Sequence, residues 1–290
     1  MTIIRHMIDK YHPKTSEDKK NAIKEVLQEV VLAGLSKTGF FSRAAFYGGT
    51  ALRLFHGMDR FSEDLDFSLL VADETFDLDA YLKPVRDVIH SLGLDFEVSK
   101  IDKTATSTIE SAFIKGNTKE TIMTIYPGST DANRIIHNEK ITIKFEVDVN
   151  PPLYANTEIR FRLLPFPYQV RIYDRESLFA GKVHAVLARS WKNRVKGRDL
   201  YDYVFFLSRG TNLNLKHLEA RLKQTKTLEE HAVLNKEMLI EMLDRRFDTI
   251  DYASARSDVR PFIRDQSALD LWSSGFFKSI TRQIGTDAED

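Results

Sequence analysis

Residues 47–67, YGGTALRLFHGMDRFSEDLDF, decide how the rest of the chain is read. Gly48 and Gly49 permit a tight turn and leave backbone N–H groups uncovered by side chains. Thr50 is placed to cap the helix that Ala51, Leu52, Leu54 and Phe55 predict. A loop over residues 59–62 follows, and then alternation begins. Leu65, Phe67 and Leu69 point one way in a strand, while Asp64, Asp66 and Ser68 point the other. Two carboxylates on one strand face, beside exposed amides at a helix N-terminus, suit a metal-bound polyphosphate. Hard oxygen ligands hold Mg²⁺, and the amides neutralise phosphate oxygens. Either piece alone reads more plainly as a glycine turn or a solvated acidic edge; together they weigh evenly between that reading and a metal–polyphosphate site.

Upstream, Ile23, Val26, Leu27, Val30, Val31 and Leu35 mark an amphipathic helix from Glu17 to just before Gly39. Residues 1–14 form a lead-in helix or arm, and residues 44–47 a short strand that delivers the glycines. Downstream, a helix from Asp79 is stopped by Gly93. Residues 94–101 and 106–114 alternate as strands, 121–126 read as another, and the polar stretch 127–138 reads as loop. In residues 141–150, ITIKFEVDVN, the apolar Ile141, Ile143, Phe145, Val147 and Val149 share one face. Thr142, Lys144, Glu146, Asp148 and Asn150 share the other, and Pro151 and Pro152 end the strand. Residues 160–168 look irregular and 169–173 strand-like. Helical stripes follow from Asp174, in 198–208, 215–222, 227–243 and about 265–280. The expected division is an α/β domain over 1–173 and a helical domain over 174–290.

The composition is that of a globular protein able to bury a substantial core: 290 residues, 42% hydrophobic and 11% aromatic. With 42 basic and 42 acidic side chains the net charge is zero, so any contact with a polyanion must come from a local patch. Cys is absent, which excludes disulfides and thiolate chemistry. No apolar run approaches a membrane span and the N-terminus lacks a signal-peptide core, so a cytoplasmic protein without membrane partners is expected.

Chemistry gathers on four segments. Asp64 and Asp66 are expected to converge with Glu146, or with Asp148 on the same face, as ligands of Mg²⁺. Lys182 and Arg189, seven residues apart on one helix, offer charge to a triphosphate. Arg189, Lys192, Arg194, Lys196 and Arg198 crowd five cations into ten positions without an acid, the best local candidate for contact with nucleotide or RNA backbone. Asp199 follows Gly197 at a helix start, where capping is its simplest role. His184 reads as a buried, bonded side chain rather than a ligand. There is no HExxH, GxGxxG, Walker lysine or GxSxG, which removes the zincin, dinucleotide, P-loop and α/β-hydrolase readings.

These segments, GGTALRLFHGMDRFSEDLDF, IKFEVDVN and GKVHAVLARSWKNRVKGRDLYD, resemble the AbiEii/AbiGii-type nucleotidyltransferase toxins of type IV toxin–antitoxin and abortive-infection systems. These belong to the DNA polymerase β-like nucleotidyltransferase superfamily. The resemblance implies an α+β fold: a polymerase β-like core with a mixed sheet flanked by helices, followed by a helical C-terminal region that completes a nucleotide cleft. It places the superfamily's Gly-Ser motif on Gly49 and Thr50, with Gly48 beside them, and the Asp-x-Asp on Asp64 and Asp66. Lys144 and Glu146 fall on the second motif, Lys182 through Arg189 on the third, and Asp199 on the fourth. It implies transfer of a nucleotidyl group from an NTP to an acceptor. Asp64, Asp66, Glu146, Lys182 and Asp199 would be catalytic; Gly48, Gly49, Thr50, Lys144, Lys182 and Arg189 would bind nucleotide. Toxins of this kind imply tRNA as acceptor, contacted by Lys192, Arg194, Lys196 and Arg198, and a cognate antitoxin as partner. A small-molecule or protein acceptor, or a non-catalytic nucleotide-binding protein, is the alternative.

Overall fold

The computed structural model describes residues 2–101, 108–126, 139–190, 195–263 and 265–287. They divide into two compact units. One comprises Met1–Thr50, Glu63–Pro151 and Ile159–Ile172; the other comprises Ala51–Ser62, Pro152–Glu158 and Tyr173–Asp290. Two short stretches of the expected α/β domain, 51–62 and 152–158, are thus grouped with the helical residues.

The first unit begins with α1 (Ile3–Asp9) and α2 (Ser16–Ser36). Thr15 opens α2 with a reciprocal capping box: its hydroxyl accepts from Asp18 N–H, and the Asp18 carboxylate accepts from Thr15 N–H. Strands β1 (Ala44–Tyr47) and β2 (Leu65–Leu69) flank α3 (Gly48–His56) in sequence; α4 (Asp79–Ser91), β3 (Glu97–Ile101), β4 (Ile109–Asn117), α5 (Thr118–Ile125), β5 (Lys140–Asp148), β6 (Thr157–Arg162) and β7 (Tyr168–Tyr173) follow. The sheet order is β3-β4-β5-β2-β1-β7-β6, which makes β2 its central strand. β2 runs antiparallel to β1 and parallel to β5, so the sheet is mixed and the fold is α+β.

The face of β2 that carries Phe67 holds the core. Phe67 lies between Phe46 of β1 and Phe145 of β5, with ring centroids 5.1 and 4.7 Å away, and Phe40 meets it edge-on at 5.1 Å. α2 and α4 pack closely there, because Gly34 lets the Val85 backbone approach to 3.3 Å of where a Cβ would stand.

Two elements of the first unit differ from the sequence reading. Of residues 121–126, all but Tyr126 are helical, in α5, and Tyr126 is its C-cap. Asn117 accepts from Glu120 N–H as its cap, and Thr121, Ile122 and Ile125 bury one helical face. The β-branched side chains suggested a strand, but tertiary packing outweighs that propensity. β6 is a regular edge strand where an irregular stretch was expected; its Ile159 and Phe161 point outward, 41% and 73% exposed. The stretch 127–138 lies outside the described residues.

The second unit contains α6 (Arg175–Ala188), α7 (Gly197–Ser208), β8 (Asn212–Leu213), α8 (Leu215–Gln224), α9 (Lys236–Phe247), α10 (Tyr252–Val259), α11 (Ser274–Thr281) and β9 (Gly285–Thr286). Tyr203, Phe247 and Phe277 form its aromatic centre. The helix expected over 227–243 starts only at Lys236, where Asn235 accepts from Met238 N–H. α10 had no clear periodic signal, and it explains Gly197: a Cβ there would lie 1.9 Å from the carbonyl oxygen of Ala255.

Gly197→Ala is therefore expected to lower stability by about 1–3 kcal/mol through overpacking against backbone. Gly181→Ala, in α6 with nothing within 4 Å of its Cβ position, should be neutral or stabilising by about 0.5–1 kcal/mol. Thermal unfolding of the two variants measures the difference.

Candidate active site

In the first unit the acidic face of β2 is built by two registers. Tyr47 of β1 pairs with Asp66, so the chain turns into Gly48 directly beside the Asp66 side chain. Gly48 has φ +82°, and a Cβ on it would stand 2.3 Å from Asp66 Oδ2. Glycine is required on both counts. The Asp66 carboxylate thereby sits at the first residue of α3, the positive end of the helix dipole. On the other side Asp66 pairs with Glu146, and Ser68 with Asp148. In-register residues of parallel strands point to the same face. Glu146 is thus the acid beside Asp66, while Asp148 lies one step further along the strands, its Oδ1 accepting from Asn150 N–H at 3.0 Å.

Thr50 does not cap α3. It is fully buried in the helix, and its hydroxyl donates to the carbonyl oxygen of Asp64 at 2.5 Å. It fixes the backbone just before β2. Lys144, two residues before Glu146 on the same face, donates to Glu146 Oε1 at 2.7 Å. Among the described residues no three acidic or histidine side chains are drawn together closely enough to hold a metal ion, so the expected convergence of Asp64, Asp66 and Glu146 is not seen. Like charges repel, and Lys144 already neutralises one of the three. The donor set nevertheless fits a hard divalent cation, because it offers carboxylate oxygens alone, two of them on paired positions of parallel strands.

The second unit holds a network of charges. Asp202 of α7, absent from the sequence reading, is fully buried. Arg60 grips it with both arms of its fork, Nε to Oδ1 at 2.5 Å and Nη2 to Oδ2 at 2.6 Å. Lys182 of α6 reaches the same Oδ2 at 2.7 Å and Asp199 at 3.7 Å. Arg189, at the C-cap of α6, donates to Asp199 Oδ2 at 2.8 Å. Asp199 therefore does not cap α7; it is buried between Lys182 and Arg189. Burial by itself raises the Asp202 carboxyl, but Arg60 and then Lys182 outweigh it and hold it below the usual carboxylate range. The spacing RDLYD contains Asp202, yet a carboxylate three residues after Asp199 gives no sign of its partner at position 60.

Of the basic stretch, Lys192 and Arg194 lie outside the described residues. Arg198 stacks over Phe262, its guanidinium carbon 4.2 Å from the ring centroid. The Lys196 ammonium is pushed below the ordinary lysine value by burial and next by Arg189. His184 bonds Thr225 Oγ1 at 3.1 Å, and burial followed by Arg221 pushes it down to about 3. His217 bonds the Leu153 carbonyl oxygen, and burial followed by Arg221 pushes it down to about 4. A cavity of about 150 Å³ bounded by Leu94, Asp95, Asn117 and Glu120 touches none of the candidate residues. Among the described residues no helix is long and apolar enough to cross a membrane.

A mixed sheet whose central strand carries paired acids beside a glycine turn, together with helices bearing a lysine–aspartate network, describes a nucleotidyltransferase. The family model for the nucleotidyl transferase AbiEii toxin of type IV toxin–antitoxin systems matches residues 30–274, and the protein belongs to that family. Membership implies a nucleotide substrate and a cognate antitoxin. The search of curated proteins found no match. Among solved structures the chain is similar to a putative nucleotidyltransferase from H. pylori, at 19% identity over 88% of this chain and 90% of that one, with a TM-score of 0.44. JHP933 from Helicobacter pylori gives 19% identity, 90% coverage of both chains and a TM-score of 0.46. MenT4, a nucleotidyltransferase toxin from Mycobacterium tuberculosis H37Rv, gives 16% identity, coverage of 97% of this chain and 88% of that one, and a TM-score of 0.49.

Gly48→Ala should lower stability by about 1–3 kcal/mol from backbone strain and displace the Asp66 carboxylate. The expected readout is a lower melting temperature together with a lower transfer rate. A second prediction concerns pH. His184 and His217 are neutral in the folded protein and gain protons on unfolding below their free value of about 6.5. Their stabilisation is complete above that pH and is lost as pH falls toward 4. The loss is at most about 1.4 kcal/mol per pH unit for each ring. Denaturant unfolding between pH 7 and pH 4.5 should show this slope, flattened in His217→Gln.

Proposed function

We propose that the protein is a magnesium-dependent toxin that moves a nucleotidyl group from a nucleoside triphosphate to the 3′ end of an RNA, with tRNA as the favoured acceptor. The observation that supports this best is the pairing of Asp66 with Glu146 on parallel strands, next to a glycine turn that no side chain could occupy. RNA is favoured over a small-molecule or protein acceptor by the cations Lys196 and Arg198 and by their neighbours Lys192 and Arg194 in sequence.

Asp64, Asp66 and Glu146 would hold magnesium, which neutralises triphosphate oxygens. Gly48 and Gly49 leave amides open to phosphate oxygens. The oxygen of the acceptor hydroxyl bonds to the α-phosphorus as the bond to pyrophosphate breaks, and the hydroxyl proton passes to Glu146. In the second unit Lys182 and Arg189 meet the negative charge of the departing pyrophosphate, held in place by Asp202 and Asp199. Thr50 acts through its bond to the Asp64 carbonyl, and Lys144 through its bond to Glu146.

Purified protein incubated with magnesium, each α-labelled NTP and total RNA should label RNA 3′ ends; label in a protein pool instead would move the acceptor to a side chain. Asp66→Asn and Glu146→Gln should each lower labelling by about 10²–10³-fold with little change in melting temperature. Asp148→Asn should keep most activity, and a larger loss in it than in Glu146→Gln would exchange their roles.

A further inference from the structure

The charge network in the second unit contains three cations, Arg60, Lys182 and Arg189, and two carboxylates, Asp199 and Asp202. It therefore carries one surplus positive charge. Arg60 supplies that surplus yet cannot meet a ligand itself, because its side chain is only 2% exposed. The exposed end of the network is Lys182, at 14%, and Arg189, at 45%. The charge that Arg60 brings is felt by a ligand only through them.

Arg60 and the loop that carries it are also fixed by hydrogen bonds. Its Nη1 donates to its neighbour's carbonyl, Phe61 O, at 2.9 Å. Tyr201 donates to Asp59 at 2.8 Å, and Phe61 N–H donates to Phe262 O at 2.9 Å. Arg53 donates to the carbonyls of Met58 and Asp59 at 3.0 and 2.8 Å. Stability alone is a weak reason for such an arrangement, since a buried ion pair is often no better than an apolar pair of the same shape. Asp202 Oδ2 is shared between Arg60 and Lys182. Take the arginine away and that carboxylate would neutralise Lys182 completely.

We propose that Arg60 is a positioning residue of the transferase: by bonding both oxygens of Asp202 it shares that carboxylate with Lys182, so that the lysine, although it touches Asp202, keeps part of its charge uncompensated and available to the triphosphate. The proposal rests on the reading above that Lys182 binds triphosphate. It assigns to the loop after α3 a part in nucleotide affinity that neither its sequence nor its lack of exposure suggests.

The test measures Kd and KM for the NTP, kcat and melting temperature in the full-length protein. Arg60→Gln should raise Kd and KM about tenfold, with a smaller effect on kcat, and Arg60→Lys should restore both to within about threefold of wild type. The double variant Arg60→Gln with Asp202→Asn removes both buried charges and releases the lysine. It should therefore bind NTP about as well as wild type, better than the single variant, and it serves as the test if Arg60→Gln does not fold. A purely structural role predicts a shifted melting temperature with an unchanged KM, and that outcome overturns the proposal. So does a double variant as weak in NTP binding as Arg60→Gln. A Lys182→Ala protein that binds NTP as wild type does would instead overturn the reading of Lys182, and the proposal with it.

Discussion

β2 lies between β1 and β5, antiparallel to one and parallel to the other, and each side chain on it answers to two registers at once. Phe67 must face Phe46 and Phe145 for the core to close, so Asp66 must face the opposite side, next to Glu146. A slip of one residue would bury the acid and expose the ring. The hydrophobic packing of one face thus sets the position of the acids on the other. Gly48 follows from the same constraint: the pairing of Tyr47 with Asp66 brings the turn so close to a carboxylate that a side chain there would collide with it.

The second unit poses a different problem, that of holding buried carboxylates in their ionised form beside a lysine. An isolated buried carboxylate such as Asp202 would be costly, and one paired with lysine alone would cancel it. Arg60 stabilises the ionised acid and balances its charge, so the network as a whole keeps one surplus positive charge, and its more exposed cations are Lys182 and Arg189. Asp199 separates those two side chains, which would otherwise repel. Gly197 brings α7 into place against α10, and α7 carries both aspartates.

Much of this was legible in the chain itself. Period-two alternation in β2 and β5 reveals the face on which Asp66, Glu146 and Asp148 lie, and the apolar stripes of α2, α4, α6 and α7 are readable unaided. α5 is hidden in the sequence because Thr121, Ile122, Thr124 and Ile125 favour strands locally, while the Asn117 cap and the buried helical face decide otherwise. β6 was overlooked because prolines follow it closely and its alternation, Ile159 and Phe161, faces outward. Thr50 looked like a cap since it follows two glycines, but the helix begins at Gly48 and leaves the hydroxyl for Asp64.

The sequence by itself determined which residues share a strand face, where glycine is obligatory in a turn, and which family the motifs resemble, because side-chain alternation and backbone freedom are local properties. Only the tertiary structure decided that Glu146 and not Asp148 stands beside Asp66, since strand register depends on how two distant segments pack their rings. It alone joined Arg60 to Asp202 across 142 positions of chain. An ion pair of that separation leaves no periodic trace; it exists because folding brings both groups into one low-dielectric place, where neither can remain charged without the other.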